Sequence, residues 1–99
     1  MKNGFTVIIV EDARLELKGT EEIFRTDIPE AEIIGVAANE EELDRLLQSQ
    51  VPDLLLLDLG LGGSTTVGVD ICAKVKKNFP CMKVLIFTGE LLNEKLWVD

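Results

Sequence analysis

The feature of this sequence that most constrains its fold is an unbroken run of four leucines, residues 54–57, between Asp53 and Asp58. A run without polar alternation predicts a strand that is buried on both faces, as at the centre of a parallel sheet with helices on each side. A carboxylate at the carboxyl end of such a strand is held where open α/β sheets place their functional sites. The run therefore predicts both an α/β fold and a site at Asp58.

Strand-like and helix-like segments alternate along the chain. Apolar, β-branched runs predict strands, apolar residues at helical spacing predict helices, and prolines and glycines separate them. The predicted order is strand 5–10, helix 13–26, strand 31–37, a helix capped by Asn39 with Glu42, strand 54–57, helix 68–78, strand 84–87, and the start of a fourth helix at 91–97. This series predicts one domain, residues 1–99, with a parallel sheet, right-handed crossovers and helices on both faces.

Composition narrows the classes of function. The 99 residues carry a formal net charge of −8, whereas direct contact with nucleic acid or an anionic membrane needs basic patches. No apolar stretch approaches the roughly 20 residues of a transmembrane helix, and there is no signal-peptide pattern, so we expect a cytoplasmic location. The sequence has no histidine, which excludes Ser-His catalysis and most zinc chemistry. Cys72 and Cys81 have neither zinc nor redox-motif spacing and are predicted to be reduced thiols.

Acidic and hydroxyl side chains follow three of the predicted strands. Glu11 and Asp12 follow the first strand, Asp58 the third and Thr88 the fourth. With the first and third strands adjacent, the three carboxylates converge, and their repulsion raises at least one pKa unless a cation neutralises them. Carboxylate oxygens suit Mg²⁺, and the Gly60 carbonyl is a further candidate ligand. Asp58 is then a candidate nucleophile that forms an aspartyl phosphate, and Thr88 a candidate hydrogen-bond partner of the phosphoryl group.

Three segments in this order resemble the receiver domain of two-component response regulators: Val10-Glu11-Asp12, the acceptor motif at residues 52–59, and Leu85-Ile86-Phe87-Thr88-Gly89. The resemblance covers essentially the whole chain and implies a flavodoxin-like, doubly wound parallel sheet of strand order 2-1-3-4-5. It also implies Mg²⁺-dependent transfer of a phosphoryl group to Asp58 from a sensor histidine kinase, and a downstream output domain. Residues 31–37 look most like receivers whose output domain binds DNA. Such a domain catalyses only its own phosphorylation and dephosphorylation.

The sequence departs from this family pattern in two places. The loop after the acceptor, at residues 61–68, lacks the family's proline and is longer. The family's lysine at the end of a fifth strand has no counterpart, because the sequence ends at Asp99 and Lys95 lies within the predicted fourth helix. The sequence therefore predicts a receiver without the fifth strand and fifth helix, incomplete at its carboxyl terminus. We expect the bare edge of the fourth strand and an uncovered apolar face to cause self-association.

Other functions fit parts of the pattern. A phosphorylation-independent interaction module is compatible with the unusual loop and the absent lysine. A metal-dependent phosphohydrolase of the haloacid dehalogenase type needs a second acid two residues after the nucleophile, where this chain has Gly60. A flavin carrier of similar topology binds an anionic phosphate where this chain has acids.

Overall fold

Strands and helices alternate along the part of the chain that the computed structural model describes, which is residues 4–58, 65–87 and 95–98. The elements are β1 (Phe5–Val10), α1 (Arg14–Asp27), β2 (Ala31–Ala37), α2 (Glu40–Ser49), β3 (Leu54–Asp58), α3 (Thr65–Asn78), β4 (Lys83–Phe87) and β5 (Lys95–Val98). The first four predicted strands are confirmed to within one residue at each end. Helix α3 begins three residues before the predicted Gly68, and Asp58 belongs to β3 itself.

The five strands form one sheet in the order β2-β1-β3-β4-β5. Strand β1 pairs in parallel with β2 and with β3, and β3 pairs in parallel with β4. The predicted flavodoxin-like order 2-1-3-4 is confirmed. Because β1 and β3 are parallel neighbours, their carboxyl ends lie at the same edge of the sheet.

The last strand differs from the prediction. The helix expected over residues 91–97 is wrong at Lys95, Leu96 and Trp97, because Lys95–Val98 pairs antiparallel with β4. A parallel crossover needs a dozen or more residues, and only residues 88–94 join the two strands, so the chain returns antiparallel. Pairing with β5 satisfies the backbone N–H and C=O groups at the edge of β4. The helical spacing of residues 91–97 did not predict this pairing. The expectation that β4 is left as a bare edge is therefore wrong, although the strand that covers it is antiparallel and is not the parallel fifth strand of the family pattern.

The sheet is buried on both faces. On one face, Leu43 and Leu47 of α2 and Ile71, Cys72 and Val75 of α3 pack against Ile8, Val10, Leu55, Leu57, Val84 and Ile86. On the other face, Phe24 of α1 belongs to a cluster with Val7, Ile9, Leu54, Leu56, Leu85 and Phe87. Because each member of this second cluster is at most 9% exposed, the predicted uncovered apolar face is absent from the described residues. The fold thus gives no support for self-association through the β4 edge or through these core side chains.

Helix α2 begins at the predicted cap. Asn39 Oδ1 accepts a hydrogen bond from the Glu42 backbone N–H at 2.9 Å, and Glu42 Oε1 accepts one from the Ala38 N–H at 2.7 Å. These bonds satisfy backbone donors that have no partner within the helix. None of the helices in the described ranges is long and apolar enough to cross a lipid bilayer.

Candidate functional site

The strand register brings the predicted acids together. Val10 is the partner of Leu57 across the β1–β3 pair, so the residues that follow, Glu11 and Asp58, are neighbours at the carboxyl edge. One carboxylate oxygen from each of Glu11, Asp12 and Asp58 lies within 4.8 Å of the others. The predicted convergence of these three acids is confirmed.

The two adjacent acids differ in their surroundings. Glu11 is 2% exposed and Asp58 is 6% exposed, whereas Asp12 is exposed to solvent. The backbone explains part of this difference, because the Glu11 N–H donates to the Ala37 carbonyl at 2.9 Å and extends the β1–β2 pairing by one residue. The sequence pattern treated Glu11 and Asp12 as equivalent, but the structure buries the first and exposes the second.

Glu11 is only partly satisfied by hydrogen bonds. Its Oε2 accepts from the backbone N–H of Ala13 at 3.0 Å. Its Oε1 is buried and has no hydrogen-bond partner among the described residues. The sequence did not lead us to predict that the Ala13 N–H would donate a hydrogen bond to Glu11. The available signal was the helix start, since the first backbone N–H groups of a helix lack intrahelical acceptors.

The environment raises the pKa of Glu11 to about 7. Burial is the main cause, and the negative charge of Asp58 adds to it; the Ala13 hydrogen bond opposes both. The carboxylate of Asp58 also favours the neutral acid, because only the protonated form of Glu11 can donate a hydrogen bond to it. Protonation of Glu11 or a bound cation would each reduce the repulsion within this cluster.

The donor set fits a hard divalent cation. Three carboxylate oxygens lie close enough to contact one ion, and the unpartnered Glu11 Oε1 is a buried acceptor that an ion would satisfy. Asp12 is exposed, so a cation here would keep water ligands, as Mg²⁺ usually does. The remaining predicted site residues, Gly60 and Thr88, lie outside the described residues, and their roles stay predictions.

The family of the chain follows from its match to a family model. The model of the response regulator receiver domain matches residues 7–96. The chain belongs to this family. The matched range of the receiver domain contains Glu11, Asp12, Asp58, Gly60 and Thr88. No curated protein sequence matches the chain.

Solved structures similar to this receiver domain share its fold. The non-phosphorylated receiver domain of the stress response regulator RcsB from Escherichia coli has a TM-score of 0.76 at 22% identity, over 93% of this chain and 69% of that one. RcsB from Salmonella enterica serovar Typhimurium, bound to a promoter in the presence of the phosphomimetic BeF3−, has a TM-score of 0.76 at 23% identity. A LuxR-family regulator from Aurantimonas sp. SI85-9A1 gives the same two values. Both matches cover 87% of this receiver domain. They cover only 43% of the Salmonella chain and 59% of the Aurantimonas chain.

Proposed function

We propose that this receiver domain accepts a phosphoryl group on Asp58 from a sensor histidine kinase, in a Mg²⁺-dependent reaction that switches an output domain. The observation that carries the proposal is the position of Asp58, which is buried at the end of β3 with its carboxylate oxygen within 4.8 Å of oxygens from Glu11 and Asp12. Membership of the receiver family supports the same reaction. The domain is not proposed to turn over a separate substrate.

The proposed transfer uses Asp58 as a carboxylate nucleophile. One carboxylate oxygen forms a bond to phosphorus while the bond from phosphorus to the kinase histidine nitrogen breaks, and the bonding pair leaves with the imidazole. Phosphoryl transfer depends mainly on positioning and charge neutralisation. Strand β3 provides the positioning, because Asp58 is its last residue and is paired with Phe87 of β4.

Glu11, Asp12 and Asp58 would hold Mg²⁺, with the Gly60 carbonyl as the predicted fourth ligand. When bound, the ion supplies the positive charge that reduces repulsion between these carboxylates and an incoming phosphoryl group. Glu11 has a fixed orientation for this role, because the Ala13 N–H holds one oxygen and leaves the other unpartnered. Thr88 is proposed to hydrogen-bond the transferred phosphoryl group and to act as the switch residue.

The output is proposed to be control of transcription. A similar regulator, RcsB from Salmonella, is bound to a promoter in its solved structure, and the Aurantimonas protein is a LuxR-family regulator. The receiver segment carries a net charge of −8, so we assign any DNA contact to a separate output domain and none to this chain. We expect the kinase reaction to occur in the cytoplasm.

Acetyl phosphate with Mg²⁺ is expected to add one phosphoryl group to the protein, and peptide mapping by mass spectrometry should place it on Asp58. Beryllofluoride, which mimics the bound group, should shift NMR signals centred on Asp58. A matched sample with EDTA in place of Mg²⁺ should show neither change. Modification at another residue would contradict the role of Asp58. If a version of the protein extended through the family's fifth-strand lysine is folded and responds to neither reagent, a phosphorylation-independent interaction module is favoured. The absence of a response in the 99-residue form alone does not distinguish the two functions.

A further inference from the structure

The central strand pair has no internal hydrophobic pattern that could set its register. Strand β3 contains leucine at residues 54–57, and β1 contains Val7, Ile8, Ile9 and Val10 opposite them. All eight side chains are at most 9% exposed, so both faces of both strands are buried. Register is normally fixed because a slip moves apolar side chains to a polar face, but here a slip of one residue still places three of the four leucines opposite apolar residues of β1.

A polar pair at the amino ends of these strands provides the missing constraint. Thr6 N–H donates to Asp53 Oδ2 at 2.9 Å, and the Thr6 hydroxyl donates to the same oxygen at 3.3 Å. In return, the Asp53 N–H donates to Thr6 Oγ1 at 3.0 Å and to the Thr6 carbonyl at 3.1 Å. The Asp53 carbonyl also accepts from the Lys83 N–H at 3.2 Å, so the same residue connects to β4.

The acidic site at the other end of these strands tolerates little displacement. Its three carboxylate oxygens lie within 4.8 Å of one another. A slip of one residue would turn Asp58 to the opposite face of the sheet, because side chains alternate along a strand. A slip of two residues would restore the face but move Asp58 about 6.6 Å along β1, at about 3.3 Å per residue. Either slip would separate Asp58 from Glu11 and Asp12.

We propose that Thr6 and Asp53 form a register clamp that places Asp58 beside Glu11 and Asp12 from the opposite edge of the sheet. Thr6 and Asp53 are positioning residues in this account, since they act on Asp58 only through the strands between them. The clamp's effect on phosphoryl acceptance rests on the proposed function, whereas its effect on strand register does not.

The clamp is tested by Asp53→Ala, which removes the shared acceptor, and by Thr6→Val, which removes the hydroxyl but keeps the β-branched shape. In the wild type, NMR should show close contacts between the Ile8 and Leu55 backbones, which are partners in the register. Each variant is expected to show a second set of contacts from a shifted register. Its affinity for Mn²⁺, measured by electron paramagnetic resonance, should fall about tenfold, as for other residues that orient metal ligands.

The matched controls keep the hydrogen bonds or remove a nearby acid. Asp53→Asn retains a side-chain acceptor and Thr6→Ser retains the hydroxyl, so both should keep the wild-type contacts and Mn²⁺ affinity. Glu30→Ala removes an exposed acid near the same edge and should change neither. Thr6→Val keeps the backbone N–H of residue 6 that donates to Asp53, so this variant is expected to fold. If Asp53→Ala does not fold, Thr6→Val decides the test.

The proposal is wrong if the variants melt at a lower temperature but keep a single register and the wild-type Mn²⁺ affinity. In that case Thr6 and Asp53 stabilise the fold without setting the strand register. Failure of the proposed function gives a different pattern. In that case the wild type would not respond to beryllofluoride, while the NMR contacts would still report whether Thr6 and Asp53 set the register.

Discussion

Glu11→Gln is expected to raise the free energy of unfolding at pH 8 by about 3 kcal/mol in the absence of divalent cations. Folding raises the pKa of Glu11 from its ordinary 4.5 to about 7, mainly because the side chain is buried and Asp58 is close. At about 1.36 kcal/mol per pKa unit, a difference of about 2.5 (7 − 4.5) corresponds to about 3 kcal/mol. Glutamine has similar size and no charge, so it avoids this penalty, and its carbonyl can still accept from the Ala13 N–H.

The pH dependence has a defined direction. Below pH 4.5, Glu11 is protonated in both the folded and the unfolded protein and contributes no penalty. Between about pH 4.5 and 7 the folded protein binds more protons, so the Glu11 contribution to stability falls as pH rises and stays low above pH 7. In the Glu11→Gln variant, this loss of stability between about pH 4.5 and 7 should be absent.

Urea unfolding of the wild type and the variant at pH 5, 6, 7 and 8 would measure the effect, with EDTA present throughout. Glu30→Gln is the matched control, since it neutralises an exposed acid near the opposite edge of the sheet. A change within about 0.5 kcal/mol is expected there. Equal stability of Glu11→Gln and the wild type at pH 8 would show that the buried carboxylate carries no penalty and would contradict the electrostatic account of the site.

Asp58→Asn is expected to abolish phosphoryl acceptance while leaving the fold intact. The amide is close in size to the carboxylate but is not a nucleophile for phosphorus, so no labelling by acetyl phosphate should remain. The same substitution removes the negative charge that helps to raise the pKa of Glu11, so that pKa should fall. The loss of labelling tests whether Asp58 is the phosphoryl acceptor, and the fall in the Glu11 pKa tests whether the two carboxylates lie close together.

Mass spectrometry after treatment with acetyl phosphate and Mg²⁺ measures the first effect, and NMR titration of the Glu11 side-chain carboxyl carbon measures the second. Asp27→Asn is a suitable control, because Asp27 is an exposed acid at the end of α1 that lies farthest along the chain from the site. It should leave both labelling and the Glu11 titration unchanged. Persistent labelling of Asp58→Asn would assign the acceptor to another residue.

Local sequence signals predicted most of the fold because several of them agree. The leucine run at residues 54–57 predicted a central buried strand, and β3 is buried along its whole length. Asn39 and Glu42 predicted the start of α2, and the Asn39 side chain caps the helix. The Glu42 side chain accepts from the Ala38 N–H, one residue before the N-cap N–H that a capping box uses. The order of acids after β1 and β3 predicted the carboxylate cluster, since parallel neighbouring strands end at the same edge.

The features that the sequence did not predict depend on contacts between distant segments. Residues 95–97 have helical spacing with the preceding leucines, but the edge of β4 decides their structure by pairing with them. Glu11 and Asp12 are both carboxylic acids, and the sequence does not show that the tertiary structure buries Glu11 while leaving Asp12 exposed. The Thr6–Asp53 hydrogen bonds join residues that are 47 positions apart, beyond the reach of any local pattern.

The central claim is that Glu11, Asp12 and Asp58 form one cation site at the carboxyl edge of the sheet. Titration with substoichiometric Mn²⁺, followed by NMR, tests it most directly, because a bound paramagnetic ion broadens the signals of nearby nuclei first. The predicted result is early loss of the Glu11, Asp12 and Asp58 backbone signals, reversed by excess Mg²⁺, with Glu30 near the opposite edge unaffected. Broadening that begins at Glu30, or that spreads evenly over the exposed acids, would contradict the account.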